Sequence, residues 1–480
     1  MMIRVQRLLF ILNLLIAAPL ADAASTFYID PQLGSMSGDG SKERPWRTLS
    51  EVASHGLIAN PRWKKPYGIY RGEISPSEGG VIKAGDTLIL ATGDHGALRV
   101  FGGVFDKPLV IKAGQNQYPR LKEISLTSSK NWRFDGLIVI GDSESNRNTP
   151  LVKFASHGFA GPASDIHFNN SHLTSNFSYT GWDNDSWQRL SRNGIYSSAE
   201  RVEIKSNLIE GVKTGITALG NHTLVHNNVI KNFSQDGIRS TGDDNQFTHN
   251  TVYNSIDVDQ NHDDLFQAWS IGVDRKAGTG TIKRNILKNN VFFSDEDTLH
   301  APKSTSQGIG CFDGVYEEWH VEGNIVVVNH WHGLTMYHAT DSTITRNLIL
   351  DPWEENSWQA RLTITLPDER EKHDKKSTSP TNAVMSNLAH KINIQRRSKT
   401  TEKNFVIKNP YEIFSRISLN EILLRPSIGA THPIAKLIES LSGAGSDLES
   451  SHRIQLRNHH IRSTLGECSP TKRGETFLHD

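Results

Sequence analysis

Short apolar runs and polar turns alternate along most of this chain, and one phrase keeps returning: Asn with two apolar residues, then Gly with an apolar residue about ten positions on. It occurs as Asn207-Leu208-Ile209 with Gly215-Ile216, as Asn228-Val229-Ile230 with Gly237-Ile238, and as Asn324-Ile325-Val326 with Gly333-Leu334. Successive Asn residues at 207, 228, 250, 290, 324 and 347 are 21, 22, 40, 34 and 23 apart. A short period with two lengthened intervals describes stacked coils that carry loops. Each unit has room for two or three short strands and too little apolar surface to close a core alone, so neighbours must stack. The pattern predicts an all-β solenoid, a parallel β-helix.

The clear coils run from about Ile166 to Leu350, with strand-like runs upstream at Asp86 to Leu90, Leu109 to Ile111 and Trp132 to Val139. Phe27 to Asp30, Pro45 to Leu49 and a short helical pattern to Ala53 are expected to form an N-terminal cap over the first coil, because an open solenoid end exposes core and strand edges. Past Leu350 the repeat decays. Asp368 to Lys376 is a charge run expected in a solvated loop, and Asn387-Leu388 marks one further coil. The expected division is a leader over 1–23, a β-helix with loop insertions over 24–422, and a weakly structured segment over 423–480.

The leader reading comes from Arg4 and Arg7, the mainly apolar run Leu8 to Leu20, and Ala21-Asp22-Ala23 as a small-residue cleavage site. It predicts export, to the periplasm or outside the cell. The run is too short for a membrane span, and no later stretch approaches the roughly 20 apolar residues that spanning needs. With Cys311 and Cys468 alone there is no disulfide framework, and Cys311 is expected in the core. Lys plus Arg number 52 and Asp plus Glu 52, so nothing global argues for nucleic acid or an anionic membrane. Any charged partner must be met by a local patch.

Aligning the coils on the Gly-apolar step draws such a patch. The residue before the step is Asn193, Thr214, Asp236, Asp264, Gln307 and His332 in turn, Leu265-Phe266 standing in for Gly-apolar after Asp264. We expect it on the outward side of a bend at Gly. Strand alternation turns a second column outward: Tyr196, Thr217, Arg239, Gln267, Gly310 and Thr335. Stacked strands lie about 4.8 Å apart, which puts Asp236 and Asp264 side by side near Arg239 and Gln267. Insertions flank this stripe, Asp257 to His262 before Asp264 and Asp295 to Ser306 after it, the latter with His300 and Lys303. Trp182, Trp187, Trp269 and Trp331 suit stacking on sugar rings.

The Asn ladder is structural, because Asn bonds local backbone in tight turns. A lone Asp before Gly would be a turn residue too. Two carboxylates in one column with Asp263 adjacent repel unless a metal, a shared proton or nearby cations compensate, which marks a functional cluster. Candidate catalytic residues are Asp236, Asp264, His262, His332, Lys303 and Arg239, and candidate substrate-binding residues are Gln267, Trp269, Gln307, Trp331 and Tyr196. The competing roles are a loop Lys, surface His residues beside strand ends, and Trp residues that serve as anchors.

With the coils and the opening segment in view, the stretch from Phe27 to Leu350 resembles the pectin-lyase-like superfamily of right-handed parallel β-helix proteins. The segment His262-Asp263-Asp264-Leu265-Phe266-Gln267-Ala268 is similar to the acidic coil that binds calcium in one family of bacterial pectate lyases, apart from Leu265 where Gly is expected. That resemblance implies Ca²⁺ on Asp236, Asp263 and Asp264, with a Lys such as Lys303 taking the α-proton. The order Gln235-Asp236-Gly237, Asp263-Asp264, Trp331-His332-Gly333 also resembles polygalacturonase-type hydrolases, with an extra coil around Gln307. Alginate C5-epimerases place His and Asp on adjacent coils as well, but their Asp-Pro-His signature is absent. The implied function is action on an acidic, uronic-acid-containing polysaccharide, by β-elimination first, with hydrolysis by the Asp236/Asp264 pair, epimerisation and non-catalytic glycan binding as alternatives. Fold alone cannot choose among these.

Overall fold

The computed structural model of the protein describes residues 24–77, 79–141, 149–295, 304–351, 359–367, 381–395 and 404–406. The expected leader, the charge run from Asp368, the segment 423–480, His300 and Lys303 lie outside the described residues.

Strands of the repeating phrase stack in parallel into three long sheets. The first runs from Thr26–Ile29 to Ala383–Met385, the second from Gly93–Asp94 to Phe405–Val406, and the third from Ala97–Phe101 to Lys391–Ile394. Each coil visits them in that order, so the chain is a right-handed parallel β-helix with its apolar core along the axis. One core row shows the stacking: Ile195, Ile216, Ile238, Phe266, Ile309, Leu334 and Leu362 pair in register in the third sheet. Every partner is apolar because no coil can bury its row except against the next.

The Asn ladder forms the turn between the first and second sheets. Asn207 Nδ2 donates to Asn228 Oδ1 at 2.9 Å, Asn228 to Asn250 at 3.0 Å, Asn250 to Asn290 at 3.0 Å, Asn290 to Asn324 at 2.9 Å and Asn324 to Asn347 at 2.9 Å. It continues through Asn387 to Asn404, beyond the last repeat read clearly in the sequence. Each Asn also satisfies buried backbone: Asn290 Nδ2 donates to Phe247 O at 2.8 Å, and Asn290 Oδ1 accepts the Asn250 N–H at 2.9 Å. A turn buried between coils needs such partners, since an orphaned backbone group costs about as much as a lost hydrogen bond.

The opening segment does more than cover an end. Thr26–Ile29 joins the first sheet as an edge strand paired with Thr87–Leu90. The helix Leu49–Ser54, capped by Thr48, whose side chain accepts the Glu51 N–H, presses Leu49 and Val52 into the core. Cys311 is in the core, as expected. Among the described residues no helix is long and apolar enough to cross a membrane.

Candidate functional site

The outward column read from the sequence is one register column of the third sheet. Tyr196 pairs with Thr217, Thr217 with Arg239, Arg239 with Gln267, Gln267 with Gly310, and Gly310 with Thr335. The glycine before the core residue has a steric cause. A Cβ on Gly237 would lie 2.6 Å from the Leu265 carbonyl oxygen of the next coil and 2.3 Å from Val252 Cγ1.

The column before the step differs from expectation. Asp236 and Asp264 are 1% and 0% exposed, and Gln307 and His332 are buried as well. These side chains are covered by neighbouring groups rather than presented to solvent. Asp236 Oδ1 accepts the Asp264 N–H at 2.9 Å, and its Oδ2 is held by Arg239 Nε. Asp264 Oδ2 lies 3.1 Å from His262 Nδ1 and accepts from Gln267 Nε2 at 2.9 Å. The groups that reach solvent are their partners: the Arg239 side chain is 26% exposed and that of His262 59%. Arg239 and His262 thus lie at the surface, each held on a buried carboxyl group.

The electrostatics follow from burial. Desolvation pushes the Asp263 carboxyl up to about 8, with Asp257, Asp236 and Asp259 adding like charge. Burial also raises Asp264, against the pull of His262. The hydrogen bond to Asp264 raises His262. His332 goes the other way, down to about 4, because it is desolvated and stands near Arg361 and His262. Its Nδ1 lies 2.9 Å from Thr335 Oγ1, with Trp331 and Phe312 against its ring at 3.8 and 4.8 Å between centroids. This imidazole is neutral at pH 7.

The donor set expected for calcium does not fit. Ca²⁺ takes six to eight oxygens, whereas both Asp236 oxygens are engaged by Arg239 and the Asp264 amide. Among the described residues no group of three or more His, Cys, Asp or Glu is arranged to hold a metal.

Of the remaining candidates, Trp331 is half-buried beside His332 under the Arg361 guanidinium, whose carbon lies 5.8 Å from the ring centre. Trp269 is half-buried at the end of its strand opposite Asp313. Gln307 pairs in register with Asp264, and both Gln307 Oε1 and Asp264 Oδ1 are buried without a hydrogen bond. Trp187 is a wall anchor, packing with Tyr179 and Val258 in a small cluster apart from the main core, while Gln188 Nε2 donates to Val258 O at 2.6 Å. That contact ties the loop before the Asn193 coil to the insertion carrying His262. The sequence reading missed Arg361, Phe312 and His330. Arg361 pairs with His332, but the interval between them breaks the repeat, so no periodic signal marks it.

A family model described as a right handed beta helix region matches residues 193–349. No curated protein matches the chain. Solved structures with a similar course include a rhamnogalacturonan lyase, at 12% identity and TM-score 0.44, covering 81% of this chain and 88% of that one. Others are the pectate lyase Pel9A, at 10% identity and TM-score 0.41 over 78% of each chain, and a surface adhesin of Streptococcus pneumoniae, at 12% and 0.41 over 68% of this chain and 79% of that one. Lyases and an adhesin share the course, so the likeness is one of fold.

Proposed function

We propose that this right-handed parallel β-helix, of the pectin-lyase-like superfamily, is an exported protein that binds an acidic polysaccharide on its third sheet and cleaves it by β-elimination. The observation that carries the reading is that two outward basic groups of the site each rest on a buried acid: Arg239 on Asp236, and His262 on Asp264. Buried carboxyl groups fix these basic side chains in place and leave part of each exposed to bond a ligand that brings its own carboxylates.

Elimination requires the uronate carboxylate to be neutralised so that the adjacent C–H becomes acidic, and a neutral base to remove that proton. Arg239 supplies the positive charge, and His262, raised by its bond to Asp264, adds to it when protonated. His332, neutral at pH 7 and oriented by Thr335, is the base. It takes the proton from C5, the electron pair forms the C4–C5 double bond, the C4–O bond breaks, and the leaving oxygen is protonated by His262 or water. In this reading Asp236 and Asp264 are positioning residues. Hydrolysis is the second reading, favoured by one observation: burial raises Asp264 toward the protonated form that a general acid needs. Against it, both oxygens of Asp236 are engaged, by the Asp264 N–H and by Arg239, which leaves no second free carboxylate to act as base or nucleophile.

The test is incubation of the mature protein with pectate, alginate and other uronans, with calcium and with chelator, following reducing ends and unsaturated-uronide absorbance together. Both signals rising, chelator or not, is the expected result. Reducing ends without absorbance would move the assignment to hydrolysis. Dependence on calcium would reinstate the metal that the carboxylate geometry does not favour. Silence on every polymer would overturn cleavage and leave glycan binding.

A further inference from the structure

The outward column of the third sheet extends well before Tyr196. Arg99 pairs with Ser125, Ser125 with Lys153 and Lys153 with Tyr196, so Arg99, Ser125, Lys153, Tyr196, Thr217, Arg239 and Gln267 form one row. At about 4.8 Å per step the row is roughly 29 Å long. All its members are exposed or half-buried, so it is open to solvent throughout.

Its charge is one-sided. Arg99 is bound by Glu123 at 2.9 Å, and Glu123 also meets the buried Arg192 at 3.3 Å, so Arg99, 64% exposed, shares its carboxylate with a second guanidinium. Lys65 Nζ stands 4.9 Å from the centre of the Phe101 ring beside it. Among the described residues no ion pair engages Lys153. Beyond Gln267 the row changes character. Gly310 and Thr335 occupy the same outward column yet are buried. A Cβ on Gly310 would lie 2.5 Å from Phe312 Cε2, and His332 bonds Thr335 from above. Phe312 in turn packs on Tyr337 and His332 at 5.6 and 4.8 Å between ring centroids.

We infer that an extended polyanion lies along the third sheet on one side of the site only, from Arg99 past Lys153 and Tyr196 to Arg239, and ends against the block formed by Phe312, His332 and Trp331. A hexose unit is close in length to one strand spacing, so successive sugars meet successive coils, with Lys153 and the Arg99 triad as outlying carboxylate subsites and Tyr196 as a stacking platform between them. The inference deepens the acidic-polymer reading above and rests on it. It also commits to an asymmetry that the reading does not contain: affinity grows with polymer on the N-terminal side, and the cations past the aromatic block, Arg361 and the exposed Lys391, lie outside the track.

The experiment is retention of the full mature chain on gels containing polygalacturonate or alginate, with dextran as a neutral reference, for wild type, Lys153→Glu, Arg99→Gln and Lys391→Glu. Lys391 is exposed on the same sheet past the block, paired with Arg361. Thermal midpoints confirm that each variant is folded. The expected result is retention of wild type by the acidic polymers alone, a loss of about fivefold or more in affinity for Lys153→Glu, the upper range for one exposed charge pair, a smaller loss for Arg99→Gln, and none for Lys391→Glu. Equal losses at Lys153 and Lys391, or no loss at Lys153 with wild type retained, would overturn the track while sparing the acidic-polymer reading. No retention of wild type on any polyanion would overturn both.

Discussion

Asp236 Oδ1 accepts the backbone N–H of Asp264 at 2.9 Å, so the carboxylate that anchors Arg239 also ties two coils of the third sheet together. One side chain thus joins the scaffold to the charge of the site. Asp236→Ala removes an acceptor from a buried N–H and a partner from a half-buried guanidinium, and is expected to cost about 2 kcal/mol. Asp236→Asn keeps an oxygen for the N–H and loses only the charge, so it should retain most of the stability while weakening retention on acidic polymers. Urea unfolding of both variants beside wild type checks this. Equal stability losses would mean that the amide contact is unimportant.

The ladder makes a second prediction. Asn290→Ala orphans the Phe247 carbonyl and the Asn250 N–H together, both of them buried. A loss of about 3 kcal/mol follows, as against at most about 0.5 kcal/mol for Asn393→Ala on the exposed face. Denaturant midpoints of the two variants give the comparison.

Protonation acts on stability in two opposite senses. His330 and His332 are both held at about 4, below the usual 6.5 of a free imidazole, so between those values the unfolded chain binds more protons and stability falls as pH drops through the window. Asp263 is raised from 3.8 to about 8, so the folded chain binds the extra proton there and stability falls as pH rises. Asp263→Asn is therefore expected to raise the thermal midpoint by several degrees at pH 8 and to leave it unchanged at pH 3. If calcium stabilises wild type at pH 8 as much as the substitution does, the acidic cluster takes a cation after all.

The wall beside the site should open without the solenoid unfolding. Trp187 and Tyr179 pack on Val258 in a cluster separate from the axial core. Trp187→Ala removes a buried indole from a local unit, and such units open independently of the global transition. Limited proteolysis should cut within residues 176–190 in this variant and not in wild type, with the thermal midpoint shifted little. A large fall in the midpoint would mean that the cluster is part of the cooperative core.

The fold was legible because a solenoid writes its geometry as a period. The Asn interval, the Gly-apolar step and the apolar rows each report a contact between coils one turn apart, so the ladder and the column from Tyr196 to Thr335 could be read from spacing alone. The same logic marked Asp236, Asp264 and His262 as neighbours. What the period does not encode is the direction in which a side chain leaves a bend. Both acids are covered by the groups they hold, Asp236 by Arg239 and Asp264 by His262 and Gln267, and this makes them supports for Arg239 and His262 rather than the face itself. Arg361, Phe312 and the closed end of the track likewise needed tertiary structure, since insertions and a register shift bring them to His332 with no interval to announce it. Repetition along the chain determined which residues stack; burial and local backbone geometry, set only when the coils close on one another, decided which of them a ligand can touch.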